Sequence, residues 1–225
     1  MTGRTLMAVI VGLALAVPVF AGDIVSMPTA NVVQPKNIEL NAIYWMLPPS
    51  GSTGNVTVGE AFLGVYDRLE IDVLYADIKD FDSFTEVNAY YTLLKESATR
   101  PGLIAGFTNV LGNDWLGGAK FPGGDPDYDQ PSFVVASAFN LAAPAEISPK
   151  TPLIRAHLGW GDRYHESKLF GGIQFKIYPT FGGAAFNYKG DPAYMLTWAP
   201  AKKYELTAGT IGGETFYRAG AFLHW

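Results

Sequence analysis

The sequence predicts an all-β chain, a closed antiparallel transmembrane β-barrel of about twelve strands. Three observations predict it. After residue 21 the chain breaks into short segments of alternating apolar and polar residues, separated by Gly, Pro, Asp and Asn. Aromatic residues gather towards the ends of those segments. The last segment ends GAFLHW, an alternating strand finishing on an aromatic residue.

The first twenty-one residues read differently from the rest. A short basic start through Arg4 precedes the apolar run LMAVIVGLALAVPVF and the small-residue site at Ala21. That is the layout of a secretory signal peptide cut after Ala21, which leaves residues 22–225 as one barrel domain. The run is too short to span a bilayer comfortably as a helix, and no later apolar run approaches the needed length.

Twelve segments follow in order. They are 38–47 (IELNAIYWML), 56–66 (VTVGEAFLGVY), 69–78 (LEIDVLYADI), 84–94 (FTEVNAYYTLL) and 103–111 (LIAGFTNVL). Then come 132–141 (SFVVASAFNL), 153–160 (LIRAHLGW), 169–178 (LFGGIQFKIY), 181–189 (FGGAAFNYK), 193–199 (AYMLTWA), 204–211 (YELTAGTI) and 215–225. Asp67-Arg68 is a tight turn, and 112–131 is the largest loop. An even number of strands returns both chain ends to one side, read as periplasmic, with the long loops outside. The stretch 141–152 is long for an inner connection; were it outside, the strand count would change by one.

Alternation gives each strand one greasy and one polar face. Leu69, Ile71, Val73 and Tyr75 oppose Glu70 and Asp72; Ile154, Ala156, Leu158 and Trp160 oppose Arg155, His157 and Gly159. A soluble barrel points the greasy face inward and a membrane barrel points it outward. Two features select the membrane arrangement. The segments have the length of a tilted bilayer span. Tyr44-Trp45, Tyr66, Tyr75, Tyr90-Tyr91, Trp115, Trp160, Tyr178, Tyr188, Trp198, Tyr204 and Trp225 suit the two aromatic girdles of such a barrel.

With the greasy face outward, the lumen receives Glu39, Asn41, Glu60, Glu70, Asp72, Glu86 and Asn88 from the first four strands. Later strands supply Arg155, His157, Gln174, Lys176, Asn187, Glu205, Arg218 and His224, with Phe216 and Phe222 as apolar intruders. Acids come early and bases late, so ring closure would set an acidic wall against a basic one. Such a lumen is either a polar pore for a small dipolar or sugar-like solute, or a salt-bridged plug.

The composition removes several classes. The chain has no cysteine, which excludes cysteine nucleophiles, thiolate metal sites and disulfides. A net charge of -5 argues against nucleic acid as a partner. No cofactor is expected, and no GxSxG, HExxH or phosphate-cradling loop is present. Asp125, Asp127 and Asp129 begin like a calcium loop, but Gln130 replaces the required glycine and Ala136 the closing acid, so they read as a turn-rich loop. A hydrolase would need a base such as His157 with a serine in reach; Ser137 on a neighbouring strand is the serine considered. The chain is therefore read as non-enzymatic.

Two resemblances follow. Arg218, Gly220, Leu223 and Trp225 resemble the C-terminal strand signal of bacterial outer-membrane barrels, which implies the barrel assembly machinery as a partner and a membrane containing lipopolysaccharide as the surroundings. The segments SMPTANVVQPKNIELNAIYW, LGVYDRLEIDVLY and NAYYTLLKESATRPGLIAGFTNVLG resemble the N-terminal barrel region of the YjbH-like outer-membrane proteins. That resemblance covers about 85 positions and implies an outer-membrane barrel accessory to exopolysaccharide production or secretion. Members of that family are usually longer, with further domains.

Overall fold

A computed structural model of the chain describes residues 36–46, 55–78, 83–97, 100–112, 131–142, 153–163, 168–178, 180–188, 190–201 and 203–224. The signal-peptide segment, the acidic loop with Asp125, Asp127 and Asp129, and the girdle residues Trp115 and Trp225 lie outside them.

Twelve strands close into one barrel: β1 (Asn37–Met46), β2 (Val56–Tyr66), β3 (Leu69–Ile78), β4 (Phe84–Leu94), β5 (Gly102–Thr108), β6 (Ser132–Ala142), β7 (Leu153–Gly161), β8 (Lys168–Tyr178), β9 (Phe181–Tyr188), β10 (Asp191–Ala201), β11 (Tyr204–Ile211) and β12 (Glu214–His224). Every strand pairs antiparallel with its neighbours in sequence, and β1 pairs with β12 from Asn37↔His224 to Met46↔Thr215. Closure leaves no strand edge unpaired, which is what a sheet surrounded by hydrocarbon requires.

Two strands depart from the expected bounds by more than one residue. β5 stops at Thr108 rather than 111, because Asn109 adopts a left-handed φ of 51°. Its N–H leaves the ladder and donates to Asn88 Oδ1 at 2.8 Å, and its carbonyl accepts from Gly112 N–H at 2.9 Å. β10 extends over Pro192 and Pro200, which the alternation had left outside. Both prolines sit near strand ends, where a missing N–H is tolerated.

The strand ends fall into two rims. The terminal rim holds the beginning of β1, the end of β12 and five connections; the opposite rim holds the long 109–131 connection. The β6–β7 connection lies on the terminal rim with the Asp67-Arg68 turn, so the strand number is twelve. All five terminal-rim hairpins carry a register shift next to the turn, between Gly64/Tyr66, Thr92/Leu94, Asn140/Ala142, Lys176/Tyr178 and Trp198/Ala201. Such bulges add local twist where the ribbon must reverse.

The outer face is greasy. Leu93, Leu158, Leu169, Ile173, Leu196 and Leu206 are all exposed to the surroundings, far beyond the apolar patch of a soluble monomer. By strand parity, the one carboxylate or basic side chain on an outward strand position is Asp77, second from the end of β3 at the rim. Exposed aromatics form two girdles. Tyr44, Tyr75, Phe107, Phe133, Trp160 and Tyr194 lie towards the long-loop rim, with Phe107 and Phe133 edge to face at 5.6 Å. Tyr66, Tyr91, Phe139, Phe181 and Trp198 lie towards the terminal rim. Trp45 and Tyr90, expected in the girdles, instead point inward. Their neighbours Tyr44 and Tyr91 take the outward positions, because adjacent residues on a strand cannot share a face. The side chains of Tyr178 and Tyr188 lie outside the described residues.

Candidate functional site

The lumen is filled by an apolar group and by several polar ones. The apolar group reaches the long-loop rim through Ile43, Val58, Ala76, Val134, Phe170 and Phe216, beside the buried polar side chains of Glu86, Thr108 and Ser132. Ile43, Val58, Ala76, Tyr90, Ile104, Val134, Phe170, Ala184, Met195 and Phe216 belong to one buried cluster drawn from ten strands, with Trp45, Val56, Leu74 and Ile211 packed against it. Ile43 is 2% exposed, and Ala76, Val134 and Phe216 are 0% exposed, so these side chains are shut off from solvent.

A pairing rule makes the cluster fit. Four inward aromatics each face a glycine directly across the ladder: Tyr90↔Gly106, Phe170↔Gly159, Phe186↔Gly172 and Phe216↔Gly209. A Cβ built on Gly159 would meet the Phe170 ring at 2.2 Å, and one on Gly209 would meet Phe216 Cζ at 2.8 Å. Each ring therefore lies over the bare backbone of the next strand, the arrangement that compensates glycine in a sheet. Small side chains at Ala76, Ala136, Ala138, Ala184 and Ala193, with Ile43, Val58, Ile104, Val134 and Met195, fill the remaining inward positions of the cluster.

The polar inward side chains are bonded to one another. Arg218 on β12 pairs with Glu205 on β11, and Thr207 Oγ1 donates to Glu205 Oε1 at 3.2 Å. Thr207 in turn bonds Thr197 on β10 at 3.0 Å. Across the β1–β12 seam, Asn41 Nδ2 donates to Glu39 Oε1 at 3.0 Å, and Glu39 and Glu60 lie within electrostatic reach of the Arg218 guanidinium. Gly220 serves this group by its lack of a side chain: a Cβ there would meet Asn41 Oδ1 at 2.7 Å. On the far wall, Arg155 pairs with Glu96 and His157 Nε2 bonds Gln174 Oε1 at 3.2 Å. On β3–β4, Asn88 Nδ2 donates to Asp72 Oδ2 at 2.7 Å.

Of the fifteen polar residues expected in the lumen, thirteen point inward; Asn187 follows the buried Phe186 on β9 and so takes the outward parity, and the side chain of His224 lies outside the described residues. Glu39, Asn41, Glu70, Asp72, Glu86, Asn88, His157 and Arg218 are buried, while Arg155, Gln174 and Lys176 are half-buried. Their partners differ from the expected two-wall arrangement. Closure of β12 on β1 carries Arg218 into the acidic side, where it serves Glu205, Glu39 and Glu60. Arg155 finds its acid on the β4–β5 connection rather than across the lumen. Glu96 lies two residues past a strand, where no periodicity marks it. Asp162, just past β7, was also unmarked; its carboxylate accepts from Ser132 Oγ at 2.8 Å and from Phe133 N–H at 2.7 Å. Ser137 does not meet His157. It stands on the outer face and donates to Gly102 O at 2.8 Å, whereas His157 is inside. Of the C-terminal signal residues, Arg218 and Gly220 face inward and Leu223 pairs with Ile38, while Trp225 lies outside the described residues.

Two solved structures share this fold. The chain is similar to the KdgM porin, with a TM-score of 0.51 and 12% identity over 84% of this chain and 99% of that one. It is equally similar to the KdgM porin in complex with disordered oligogalacturonate, with a TM-score of 0.50 and 12% identity over 84% of this chain and 99% of that one. No protein-family model matches the chain, and no curated protein matches it. At this identity the likeness establishes the closed-barrel fold. In this chain Glu39, Glu60, Glu70, Asp72, Glu86 and Glu205 point inward on strands, with Arg155, Lys176 and Arg218.

Proposed function

We propose that this chain spans the bacterial outer membrane as a barrel whose lumen is closed by inward-packed side chains, and that it acts as a structural or envelope-organising barrel rather than as an open pore. The observation carrying this reading is the buried apolar cluster drawn from ten strands. A water-filled channel would leave its lining wet, and here the apolar group and most of the polar lining are buried, with Arg155, Gln174 and Lys176 half-buried. The greasy outer face and the two girdles support the membrane setting.

Planar-bilayer recording tests the closed lumen. The purified chain is expected to insert without conductance steps. A reproducible open level from the unaltered protein would overturn the reading and restore a small-solute channel, which the shared fold with a porin supports. Oligogalacturonate, the ligand in one similar structure, is a polyanion; the surplus of inward carboxylates argues against it as a solute here. A role beside surface polysaccharide export rests on the sequence resemblance alone. Assembly by the barrel machinery rests on the terminal strand. The non-enzymatic reading is supported by the faces of Ser137 and His157, which strand parity keeps apart.

A further inference from the structure

The terminal rim carries a cluster of cations that no internal network uses. Arg68 in the β2–β3 turn and Lys95 and Arg100 in the β4–β5 connection are all exposed. A backbone bond ties the first turn to the end of β4, where the second connection starts: Thr92 N–H donates to Arg68 O at 2.7 Å, and Ser97 N–H donates to Arg100 O at 3.0 Å to tighten the second connection. The side chains then converge on the end of β4. Arg68 Nη1 donates to Leu93 O at 3.5 Å, and Arg100 Nη2 to Lys95 O at 3.2 Å. No carboxylate among the described residues pairs with any of the three. Glu96 is held by Arg155, which leaves Asp67 as the remaining acid of these two connections.

What lies beside the cations gives them a partner. On the outer face, Tyr66, Leu69 and Tyr91 stand side by side in register across β2, β3 and β4, with Tyr66 70% exposed and Tyr91 48% exposed. Leu93 and Leu94 continue the apolar surface to the rim. A row of two phenols and aliphatic side chains, capped by two guanidiniums and an ammonium, matches an amphiphile with acyl chains and an anionic head. Arginine in particular presents paired N–H donors to phosphate oxygens.

We propose that Arg68, Lys95 and Arg100 form a headgroup site for an anionic glycerophospholipid whose chains run along Tyr66, Leu69 and Tyr91. The inference rests on the membrane-spanning reading above, and the experiment separates the two. The full mature chain is placed in nanodiscs of phosphatidylcholine alone and of phosphatidylcholine with a minor share of phosphatidylglycerol, and the lipids retained on release are weighed by native mass spectrometry. Retention of phosphatidylglycerol over phosphatidylcholine is expected. It should fall about fivefold for each cation removed in Arg68→Gln, Lys95→Gln and Arg100→Gln. Arg68→Lys with Arg100→Lys should keep much of it, and Arg163→Gln on the opposite rim should leave it unchanged. Equal retention of both lipids by the unaltered chain, or no loss in the triple variant, overturns the headgroup site while the membrane reading stands. Failure to enter phosphatidylcholine discs overturns the membrane reading itself.

Discussion

Gly159 and Phe170 face each other across the β7–β8 ladder, and the bare backbone of one is the seat of the other's ring. Adding a methyl group at Gly159 should force the ring from a buried layer, at a cost of about 1–3 kcal/mol. Urea unfolding of Gly159→Ala in lipid vesicles measures this. Phe170→Leu in the same chain should relieve part of the clash, so a double-mutant cycle should show favourable coupling. Arg218 presents the electrostatic counterpart. Removing the guanidinium with Arg218→Met leaves Glu205 buried without its cation and Glu39 and Glu60 without relief, at a cost of about 3–5 kcal/mol. Glu205→Gln in the same chain should restore part of that loss. Strand parity made the inward position of Glu39, Asp72, His157 and Arg218 legible from the sequence. Their partners were not legible. Which residues meet inside depends on ring closure and stagger, and Glu96 reaches Arg155 from a connection that carries no periodicity.

At the level of the strand, polarity is written in the outward positions. Their freedom from charge inside the rims predicts a depth-dependent penalty. Ile173→Arg or Leu196→Arg, within the belt, should destabilise the folded state in vesicles by about 2–4 kcal/mol, whereas Asp77→Arg at the rim should cost about 0–1 kcal/mol. Equal costs would place the belt elsewhere. β2, β3, β4 and β11 begin and end where the alternation placed them, since each has a clean period bounded by turn residues. β5 was read too long because TNVL continues an apolar pattern, while the left-handed turn at Asn109 is set by a long-range bond to Asn88. β10 was read too short because Pro192 and Pro200 look like breakers until pairing shows them near strand ends. Trp45 and Tyr90 were misassigned for a related reason: adjacent aromatics look alike in a composition count, yet a strand sends only one of each pair outward.

For the molecule as a whole, one pairing joins residues distant in the sequence, the seam between β1 and β12. The chain has no cysteine, so the seam can be tested without background. Ala42 and Ala219 are directly paired. Ala42→Cys with Ala219→Cys should cross-link on mild oxidation in the folded barrel, and Ala42→Cys with Thr215→Cys, several positions out of register, should not. Reversal of that pattern would mean a shifted seam. Because every other ladder joins neighbours in sequence, and Asn37 lies opposite His224, the ribbon has no topological need for its natural starting point. A circularly permuted chain, with a linker of about two or three residues from 224 to 37 and new termini cut into the 109–131 connection, would keep every pairing of the ring.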